Sequence, residues 1–360
     1  MRTFHIAITG DFLNEQGNSA YGDLQLNAFE KTGYVELRFI NELSPRPGDV
    51  EFWQRLYSLE VTSEQLAGAD GLIVLRPWVK RPALAATADR LLVIGRSGAG
   101  YDKIDVDACT EHDVALFNAP LALNHATASA ALLFMLALAK RLPAQQQVVR
   151  RGQWHLQAQV MGSEIEGRTL GIVGLGHSGR ELARLVSPFA MKVMAYSPHA
   201  DADQARAAGV VLSTLDELLT AADFVSLHAR LTPQNHRLIG RRELGLMKPT
   251  AYLINVARGE LVDQRALVDA LRTRQIAGAA LDVFEHEPVP LNDPLLGIEN
   301  VIATPHWLAS TKDVFAATGR AMLDGMLCAA RGEVPRDIVN REVLERPGFR
   351  AKLACFEENR

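Results

Sequence analysis

The sequence predicts an α/β protein with two doubly wound parallel-sheet domains and a cleft between them. Short apolar runs alternate along the chain with longer stretches of helical character. Uninterrupted apolar strands are typical of parallel sheets that helices cover on both faces. A length of 360 residues favours two domains over one or three.

The predicted strands are apolar runs bounded by turns or helical stretches. In chain order they include HIAITG, GLIVL, RLLVIG, VALFN, TLGIVGLG, KVMAYS, FVSLH, AYLINVA, GAALDVF and NVIATP. The chain's start lacks the charged segment, apolar block and cleavage site of a secretion signal, so we expect its first run to be a strand.

An apolar helix near residue 130 predicts where the first domain ends. We expect it from Asn124 to Arg141, with Pro143 stopping it. Because it is apolar on nearly every face, we expect it to be buried between two domains or subunits. We therefore predict a first domain at residues 1–119 together with 307–360, and a second domain at residues 120–306.

The tail of the chain is predicted to return to the first domain through a helix from Ser310 to Arg331. Hinges between the domains are expected near Pro120 and Pro305. Closure of two domains around a cleft would exclude water from a reaction there.

Composition and charge exclude several classes of partner. Hydrophobic residues make up 48% of the chain and charged residues 22%, as in ordinary globular proteins. The net charge of −4 gives no reason to expect nucleic acid or an anionic membrane as a partner. The longest apolar stretch, Ala126–Ala139, is shorter than the roughly 18–20 residues of a membrane span.

The cysteines predict a reducing compartment. Cys109, Cys328 and Cys355 are odd in number and far apart, which argues against a disulfide framework and against a cysteine zinc site. We expect reduced thiols in a cytoplasmic protein, and no metal site.

A glycine motif is the most informative local signal. Gly174, Gly176 and Gly179 fit G-x-G-x-x-G between a predicted strand, Leu170–Val173, and a predicted helix, Ser178–Phe189. The first glycine permits a tight turn, the second lets a pyrophosphate approach the backbone, and the third lets helix and strand pack closely. The helix start offers N–H groups to the phosphates. The motif predicts a Rossmann-like domain that binds a dinucleotide, with His177 and Ser178 among the contact residues; a turn without a ligand is the alternative.

The residue after the next strand bears on the choice of cofactor. An NAD-selective site usually carries an acid there, about 20 residues after the motif, on the ribose 2′-hydroxyl. This chain has Ser197 at that position, after the strand Lys192–Tyr196. No Arg or Lys follows immediately, and Asp201 and Asp203 would supply acidity if the loop folds back. The choice between NAD and NADP stays open.

Three polar side chains are predicted to meet beyond the ends of strands in this second domain. Arg258, Glu287 and His306 each follow a predicted strand, and ligands of open α/β sheets bind beyond the strands' carboxyl ends. Histidine exchanges protons near neutral pH, a carboxylate orients and stabilises an imidazolium, and a guanidinium binds a carboxylate. This set suits reduction of a 2-oxo acid, with His306 as acid and base. By residue type alone, Glu285 and His286 fit almost as well.

The motifs together resemble a known family. The chain is similar from Leu91 to Val339 to the D-isomer-specific 2-hydroxyacid dehydrogenases, which include glyoxylate/hydroxypyruvate reductases. The resemblance rests on five ordered motifs: Arg96–Asp102, Thr169–Gly179, Asn255–Glu260, Asp282–Pro288 and Thr304–His306.

The resemblance implies roles for further residues. The family's catalytic Arg, Glu and His fall on Arg258, Glu287 and His306. The backbone of the turn Gly98, Ala99, Gly100 is implied to hold the substrate carboxylate together with Arg258, in a flavodoxin-like substrate domain. Asp282 is implied to hold the nicotinamide amide group, and the positions implied to line the cofactor are His228 and Val256.

The chain departs from the family pattern at several positions. Ser129 stands where the family usually has Glu, Arg230 where it has Pro or Leu, and Trp307 where it has a smaller residue. Together with Arg76 and Trp78, Trp307 is a candidate for shaping the substrate pocket, although simple packing explains each tryptophan as well.

These observations predict an oxidoreductase that moves a hydride between NAD(P)H and C2 of a small 2-oxo or 2-hydroxy acid, with glyoxylate- or hydroxypyruvate-like substrates favoured. A formate- or phosphite-type dehydrogenase and an NAD(H)-sensing binding protein of corepressor type are the alternatives. The family resemblance also implies a homodimer formed through the cofactor domain.

Overall fold

The computed structural model describes residues 1–22 and 24–359 and divides into two compact units. One consists of Met1–Leu123 with Ser310–Arg360, and the other of Asn124–Ala309. The sequence predicts the boundaries at residues 119 and 306, a few residues earlier in each case. Each unit contains one parallel sheet, as the apolar strand pattern predicts.

The first unit contains a five-stranded parallel sheet in the order β2-β1-β3-β4-β5. Its strands are β1 (Phe4–Thr9), β2 (Val35–Ile40), β3 (Gly71–Val74), β4 (Val93–Arg96) and β5 (Ala115–Asn118). Its helices are α1 (Leu26–Glu30), α2 (Val50–Arg55), α3 (Ser63–Leu66), α4 (Arg81–Ala86), α5 (Val106–Glu111), α13 (Lys312–Ala330) and α14 (Pro347–Ala354). This strand order is the flavodoxin-like one.

The second unit contains a seven-stranded parallel sheet in the order β12-β11-β10-β9-β6-β7-β8. Its strands are β6 (Thr169–Val173), β7 (Lys192–Tyr196), β8 (Val210–Leu212), β9 (Phe224–Leu227), β10 (Tyr252–Asn255), β11 (Gly278–Leu281) and β12 (Val301–Ala303). Its helices are α6 (Asn124–Ala139), α7 (Leu142–Arg150), α8 (His177–Val186), α9 (Ala202–Ala207), α10 (Leu215–Ala221), α11 (Arg241–Leu246) and α12 (Gln264–Arg272). The strand order is Rossmann-like and reverses between β6 and β9, where such sheets bind nucleotides.

Strands β2 and β8 are not among the predicted apolar runs. Both lie at sheet edges, where a strand need not be apolar throughout. Strand β2 alternates buried with more exposed residues and carries Glu36 and Arg38, so it is not a continuous apolar run. Strand β8 has only three residues, of which Val211 is exposed.

The predicted mid-chain helix is two helices. Helix α6 ends at Ala139 rather than Arg141, and α7 follows after a bend of 58°. Pro143 does not stop the first helix: it lies in the first turn of α7, where a missing N–H costs nothing. Helix α6 buries Phe134 and Met135 in the core of its own unit and packs against α8.

Two other predicted helices begin or end at different residues. The helix after the glycine motif ends at Val186, and Ser187–Phe189 continues as a 3₁₀ turn with Pro188 at its start. The predicted helix Ser310–Arg331 is α13, which packs on β4 and β5. A Cβ at Gly325 would come within 2.4 Å of the Phe117 ring, so glycine lets this helix lie close to the sheet.

Among residues 1–22 and 24–359, no single helix is long and apolar enough to cross a membrane, and α6 with α7 reaches that length and composition only as a bent pair. In the same residues no three His, Cys, Asp or Glu side chains are grouped to hold a metal. Cys109, Cys328 and Cys355 are free thiols.

The chain's C-terminal segment covers the edge strand β5. The Val339 N–H donates to Leu116 O at 2.7 Å, and the buried Asn340 accepts from Leu116 N–H at 2.8 Å. The Asn340 amide also donates to Val114 O at 2.9 Å. The Asn340 side chain thus forms hydrogen bonds with the edge strand that a sixth strand would otherwise form.

Replacing Asn340 with alanine is expected to lower the free energy of unfolding by about 2–4 kcal/mol, because it leaves a buried N–H and a buried carbonyl without partners. Urea unfolding followed by circular dichroism measures the change. The exposed neighbour Arg341→Ala is the control, with an expected change within about 0.5 kcal/mol. Equal effects of the two substitutions would contradict this account of the edge.

Candidate active site

The predicted site residues follow one register row that crosses the second sheet. Neighbouring strands pair residue by residue along this row, which consists of Tyr196, Val173, Leu227, Asn255, Leu281 and Ala303. The first residues beyond it are Ser197, Gly174, His228, Val256, Asp282 and Thr304. With strands about 4.8 Å apart, these six positions line one edge about 24 Å long.

The three motif glycines serve different purposes. A Cβ at Gly174 would come within 2.5 Å of Ala229 N, and one at Gly179 within 2.4 Å of Gly174 O, so the protein's own packing requires glycine at both positions. Gly174 also has a φ of 96°, which favours glycine. A Cβ at Gly176 would meet no protein atom within 4 Å. Packing therefore does not explain this glycine, whereas close approach of a pyrophosphate does.

The start of α8 fits the same ligand. Gly176 is the N-cap residue and has no side chain to accept from the first-turn N–H groups. By contrast, Asp201, Thr214 and Asp263 cap α9, α10 and α12 with side-chain oxygens. Uncapped N–H groups and the positive end of the helix dipole bind phosphate. His177 and Ser178 are the first two residues of α8 and so lie at this position.

His228 joins the end of β9 to the start of α8. Its Nε2 lies 2.9 Å from Ser226 Oγ, and its Nδ1 lies 3.1 Å from Ser178 Oγ. Part of the residue's surface stays exposed, but both ring nitrogens are engaged by hydroxyls. Hydroxyls donate and accept, so they favour neither protonation state; burial lowers the pKa of His228 to about 4. The imidazole is therefore neutral beside the glycine turn.

Glu287 and His306 form the hydrogen-bonded pair that the sequence predicts. His306 Nδ1 lies 2.7 Å from Glu287 Oε2, with 14% of the Glu287 side chain and 32% of the His306 side chain exposed. Glu287 Oε1 accepts from the Phe284 N–H at 3.0 Å, which fixes the carboxylate. A carboxylate that accepts from Nδ1–H assigns acid–base chemistry to Nε2.

Arg258 lies on a turn packed against the segment that carries Glu287. The Asn255 side chain holds this turn, since it donates to Arg258 O at 2.8 Å and accepts from Ala257 N–H at 3.1 Å. A Cβ at Gly259 would come within 1.9 Å of the Phe284 backbone. Glycine next to Arg258 therefore lets the turns after β10 and β11 touch, which brings the backbone beside Arg258 against the segment that leads to Glu287. The half-buried Arg258 side chain donates from Nη1 to Ala257 O at 2.7 Å.

Asp282 holds the segment that carries His306. Its Oδ1 accepts from the Thr304 hydroxyl at 2.5 Å and from the Trp307 N–H at 3.0 Å, and the Leu308 N–H reaches both oxygens. His306 itself has a φ of 55°, a left-handed conformation that costs a non-glycine residue about 1–2 kcal/mol. The buried carboxylate stabilises the backbone on both sides of this strained residue.

The structure distinguishes Glu287 from its acidic neighbour. Glu285 accepts from Arg237 Nη2 at 2.5 Å, and its own N–H donates to Gln264 Oε1 at 3.1 Å. His286 is exposed. Of the three residues that fit by type, only Glu287 is hydrogen-bonded to His306.

The turn Gly98–Gly100 lies in the first unit, beyond the end of β4. Its carbonyls are engaged, because Gly98 O accepts from Ala119 N–H at 3.0 Å and Ala99 O accepts from Asn118 Nδ2 at 2.6 Å. The N–H groups of Gly98, Ala99 and Gly100 donate to no other group in the described part of the chain. Buried or half-buried N–H groups without acceptors suit an anion.

The candidates for shaping the pocket and the departures from the family pattern have these surroundings. Arg76 is buried and pairs with Asp11 at 3.3 Å, and the half-buried Trp78 donates to Tyr57 O at 3.2 Å. The Ser129 hydroxyl donates to Ala126 O within α6, and Arg230 is exposed. The Trp307 N–H donates to Asp282 Oδ1.

Sequence reasoning missed the residues that hold the site residues in place. These are Ser226 beside His228, Asn255 under the Arg258 turn, and Thr304 on Asp282. Of these three, only Asn255 could have been found from the local sequence. An Asn that ends a strand and accepts from the backbone N–H two residues later is typical of an Asx turn. The partners of Ser226 and Thr304 depend on the folded chain.

Comparison with known proteins agrees with this geometry. The family model for the D-isomer specific 2-hydroxyacid dehydrogenase, NAD binding domain, matches residues 132–307. A glyoxylate reductase of Korarchaeum cryptofilum is 36% identical over 297 residues, which cover 81% of this chain and 90% of that protein. A D-3-phosphoglycerate dehydrogenase of Methanocaldococcus jannaschii is 38% identical over 294 residues, covering 81% of this chain and 56% of its own length. A solved glyoxylate reductase from Paecilomyes thermophila has a TM-score of 0.78 and 28% identity, with 95% of this chain and 100% of that one covered.

Fold, glycine turn and first-turn N–H groups define a nicotinamide dinucleotide-binding α/β protein. The chain belongs to the D-isomer-specific 2-hydroxyacid dehydrogenase family, as its five ordered motifs predict.

The low pKa of His228 predicts a pH-dependent stability. Between its ordinary pKa of 6.5 and about 4, the unfolded chain binds a proton here that the folded chain excludes, so the native protein loses stability as the pH falls through this range. His228→Gln keeps polar partners for both serines and removes the titration. From pH 7 to 4.5, urea unfolding should show the wild type losing about 1–3 kcal/mol more than the variant. If the wild type and the variant instead lose stability in parallel as the pH falls, the pKa of His228 is not lowered in the folded protein.

Proposed function

We propose that the protein transfers a hydride between NAD(P)H and C2 of a small 2-oxo or 2-hydroxy acid of D configuration. The observation that carries this proposal is the 2.7 Å contact of His306 and Glu287 at the same sheet edge as the glycine turn. When bound, the nicotinamide supplies the hydride. The chain's own residues must then deliver a proton and hold an anionic substrate.

His306 is the proton donor in reduction and the acceptor in oxidation. As hydride adds to C2, Nε2–H gives its proton to the carbonyl oxygen, which becomes the hydroxyl. Glu287 stabilises the imidazolium form and keeps the ring in one orientation through Nδ1. The αL backbone at His306, held by Asp282, fixes the direction from which the ring acts.

Arg258 binds the substrate's carboxylate or its C2 oxygen, because a guanidinium offers paired donors to such groups. The N–H groups of Gly98, Ala99 and Gly100 bind the carboxylate. That they find no acceptor among residues 1–22 and 24–359 supports this role. Asp282, His228, Val256 and Ser197 line the cofactor.

Small oxo acids such as glyoxylate and hydroxypyruvate are the proposed substrates. The relative named for glyoxylate matches over nearly its whole length, whereas the one named for phosphoglycerate matches over little more than half.

We also propose that the protein is a homodimer in the cytoplasm. Five large apolar side chains are exposed in the region of α6, α7 and the turns that follow: Leu133, Leu142, Val149, Trp154 and Met161. An exposed apolar patch of this kind is typical of a subunit interface. The free thiols support a reducing compartment.

The activity test is oxidation of NADH or NADPH, followed by absorbance, with a panel of 2-oxo acids. We expect turnover with glyoxylate or hydroxypyruvate, and a loss of about 10³-fold in kcat for His306→Ala, because no other group then supplies the proton. Arg258→Lys should raise KM, since a bidentate contact is lost.

His286→Ala is the matched control, an exposed histidine on the turn that carries Glu287, and it should change kcat less than about 2-fold. Cofactor binding by each variant, measured by calorimetry, shows that the fold is kept. Dinucleotide binding without turnover on any oxo acid would favour a sensing protein, and turnover on formate or phosphite alone would favour those dehydrogenases.

The dimer is tested by light scattering coupled to size exclusion. We expect twice the mass of the chain for the wild type and the mass of a single chain for a Val149→Asp, Trp154→Ser double variant, because charge and lost apolar area oppose association. Leu291→Ser, equally apolar and 97% exposed but outside this region, should stay dimeric. A wild type with the mass of one chain would refute the dimer.

A further inference from the structure

The end of β7 lacks the charge that excludes a 2′-phosphate. Ser197 is the first residue beyond Tyr196, where an NAD-selective site carries an acid on the ribose 2′-hydroxyl. Ser197 is half-buried, and its hydroxyl donates or accepts without a charge.

The two nearest acids are engaged elsewhere. Asp201 Oδ1 accepts from the N–H groups of Asp203 and Gln204, at 2.9 and 2.8 Å, and so caps α9. Asp203 pairs with Arg206 at 2.8 Å. Both acids are thus engaged by α9 itself, so the acidity that the sequence left possible at Asp201 and Asp203 serves this helix.

A cation is held beside this position. Arg180 lies in the first turn of α8, its Nη1 donates to Gln204 Oε1 at 2.7 Å, and its Nε lies 3.4 Å from Gly176 O. The guanidinium therefore bridges the glycine turn and α9, the two elements that flank Ser197. Within the described residues, no carboxylate pairs with Arg180, whereas Arg184, one turn later, pairs with Glu181 at 2.7 Å.

We propose that Arg180 and Ser197 bind the 2′-phosphate of NADP(H), so that this chain accepts the phosphorylated cofactor at least as readily as NAD(H). The amide partner of Arg180 is neutral and does not compensate the positive charge of the guanidinium. The guanidinium can therefore form charge-assisted hydrogen bonds with a phosphate, whose oxygens match the geometry of its N–H groups. A serine hydroxyl donates to the same phosphate, where an aspartate would repel it. Arg180 is thus the residue that determines cofactor specificity.

The proposal rests on dinucleotide binding and not on hydride transfer, so binding is the readout. Calorimetric titration of the whole protein with NADPH and with NADH should give a Kd for NADPH equal to or below that for NADH. Arg180→Gln should weaken NADPH at least 10-fold and change NADH less than 2-fold. Ser197→Asp should weaken NADPH and tighten NADH.

The matched control is Arg184→Gln, an exposed arginine of the same helix, which should change neither Kd by more than 2-fold. Competition by adenosine 2′-phosphate against adenosine 5′-phosphate tests the subsite without the nicotinamide half. A wild type that binds NADH more than 10-fold tighter than NADPH, or an Arg180→Gln variant that weakens both cofactors equally, would overturn the proposal. Turnover of oxo acids with NADH alone would leave the proposed activity intact while this inference fails.

Discussion

The register of the parallel strands in the second sheet is the constraint on which the site depends. Six strands end in one row, from Tyr196 to Ala303, so the next residue of each strand falls at the same edge. A slip of one residue in any pair would turn its side chains to the opposite face. Residues far apart in sequence meet at this edge because hydrogen-bonded ladders bring their strand ends together.

The hydrogen-bonded pair of His306 and Glu287 needs more than this row, since its geometry is determined by turns beyond the strands. His306 adopts a left-handed backbone, and the buried Asp282 carboxylate binds the hydroxyl before it and the N–H groups after it. Strain of this size persists only where surrounding contacts fix it. The same contacts hold the backbone from which the His306 imidazole reaches Glu287 at 2.7 Å, so the strained turn also determines the geometry of this hydrogen bond.

The sequence predicted the parts of the molecule that local patterns determine. Buried strands such as Lys192–Tyr196 and the glycine turn follow from short-range composition, and Arg258, Glu287 and His306 from position after strands. It could not distinguish Glu287 from Glu285 by residue type, because the difference is a long-range contact of Glu285 with Arg237. It missed β2 and β8, where edge exposure permits charges or a very short strand. It placed Pro143 at the end of a helix. A proline indicates that a helix breaks nearby, but prolines occur both after the end of one helix and in the first turn of the next.

The two turns proposed to bind anions, one in each unit, differ in how exposed their N–H groups are to water. At the start of α8, Gly176 and His177 are exposed, so their N–H groups are accessible to water, and the positive end of the helix dipole is what attracts a phosphate. At Gly98–Gly100 the N–H groups are buried or half-buried and have no acceptor in the described part of the chain. A fully buried donor without an acceptor costs about 1–3 kcal/mol, and of these three residues Gly98 is the buried one. A carboxylate bound there therefore recovers free energy that the fold has already given up, and its binding must stabilise the first unit.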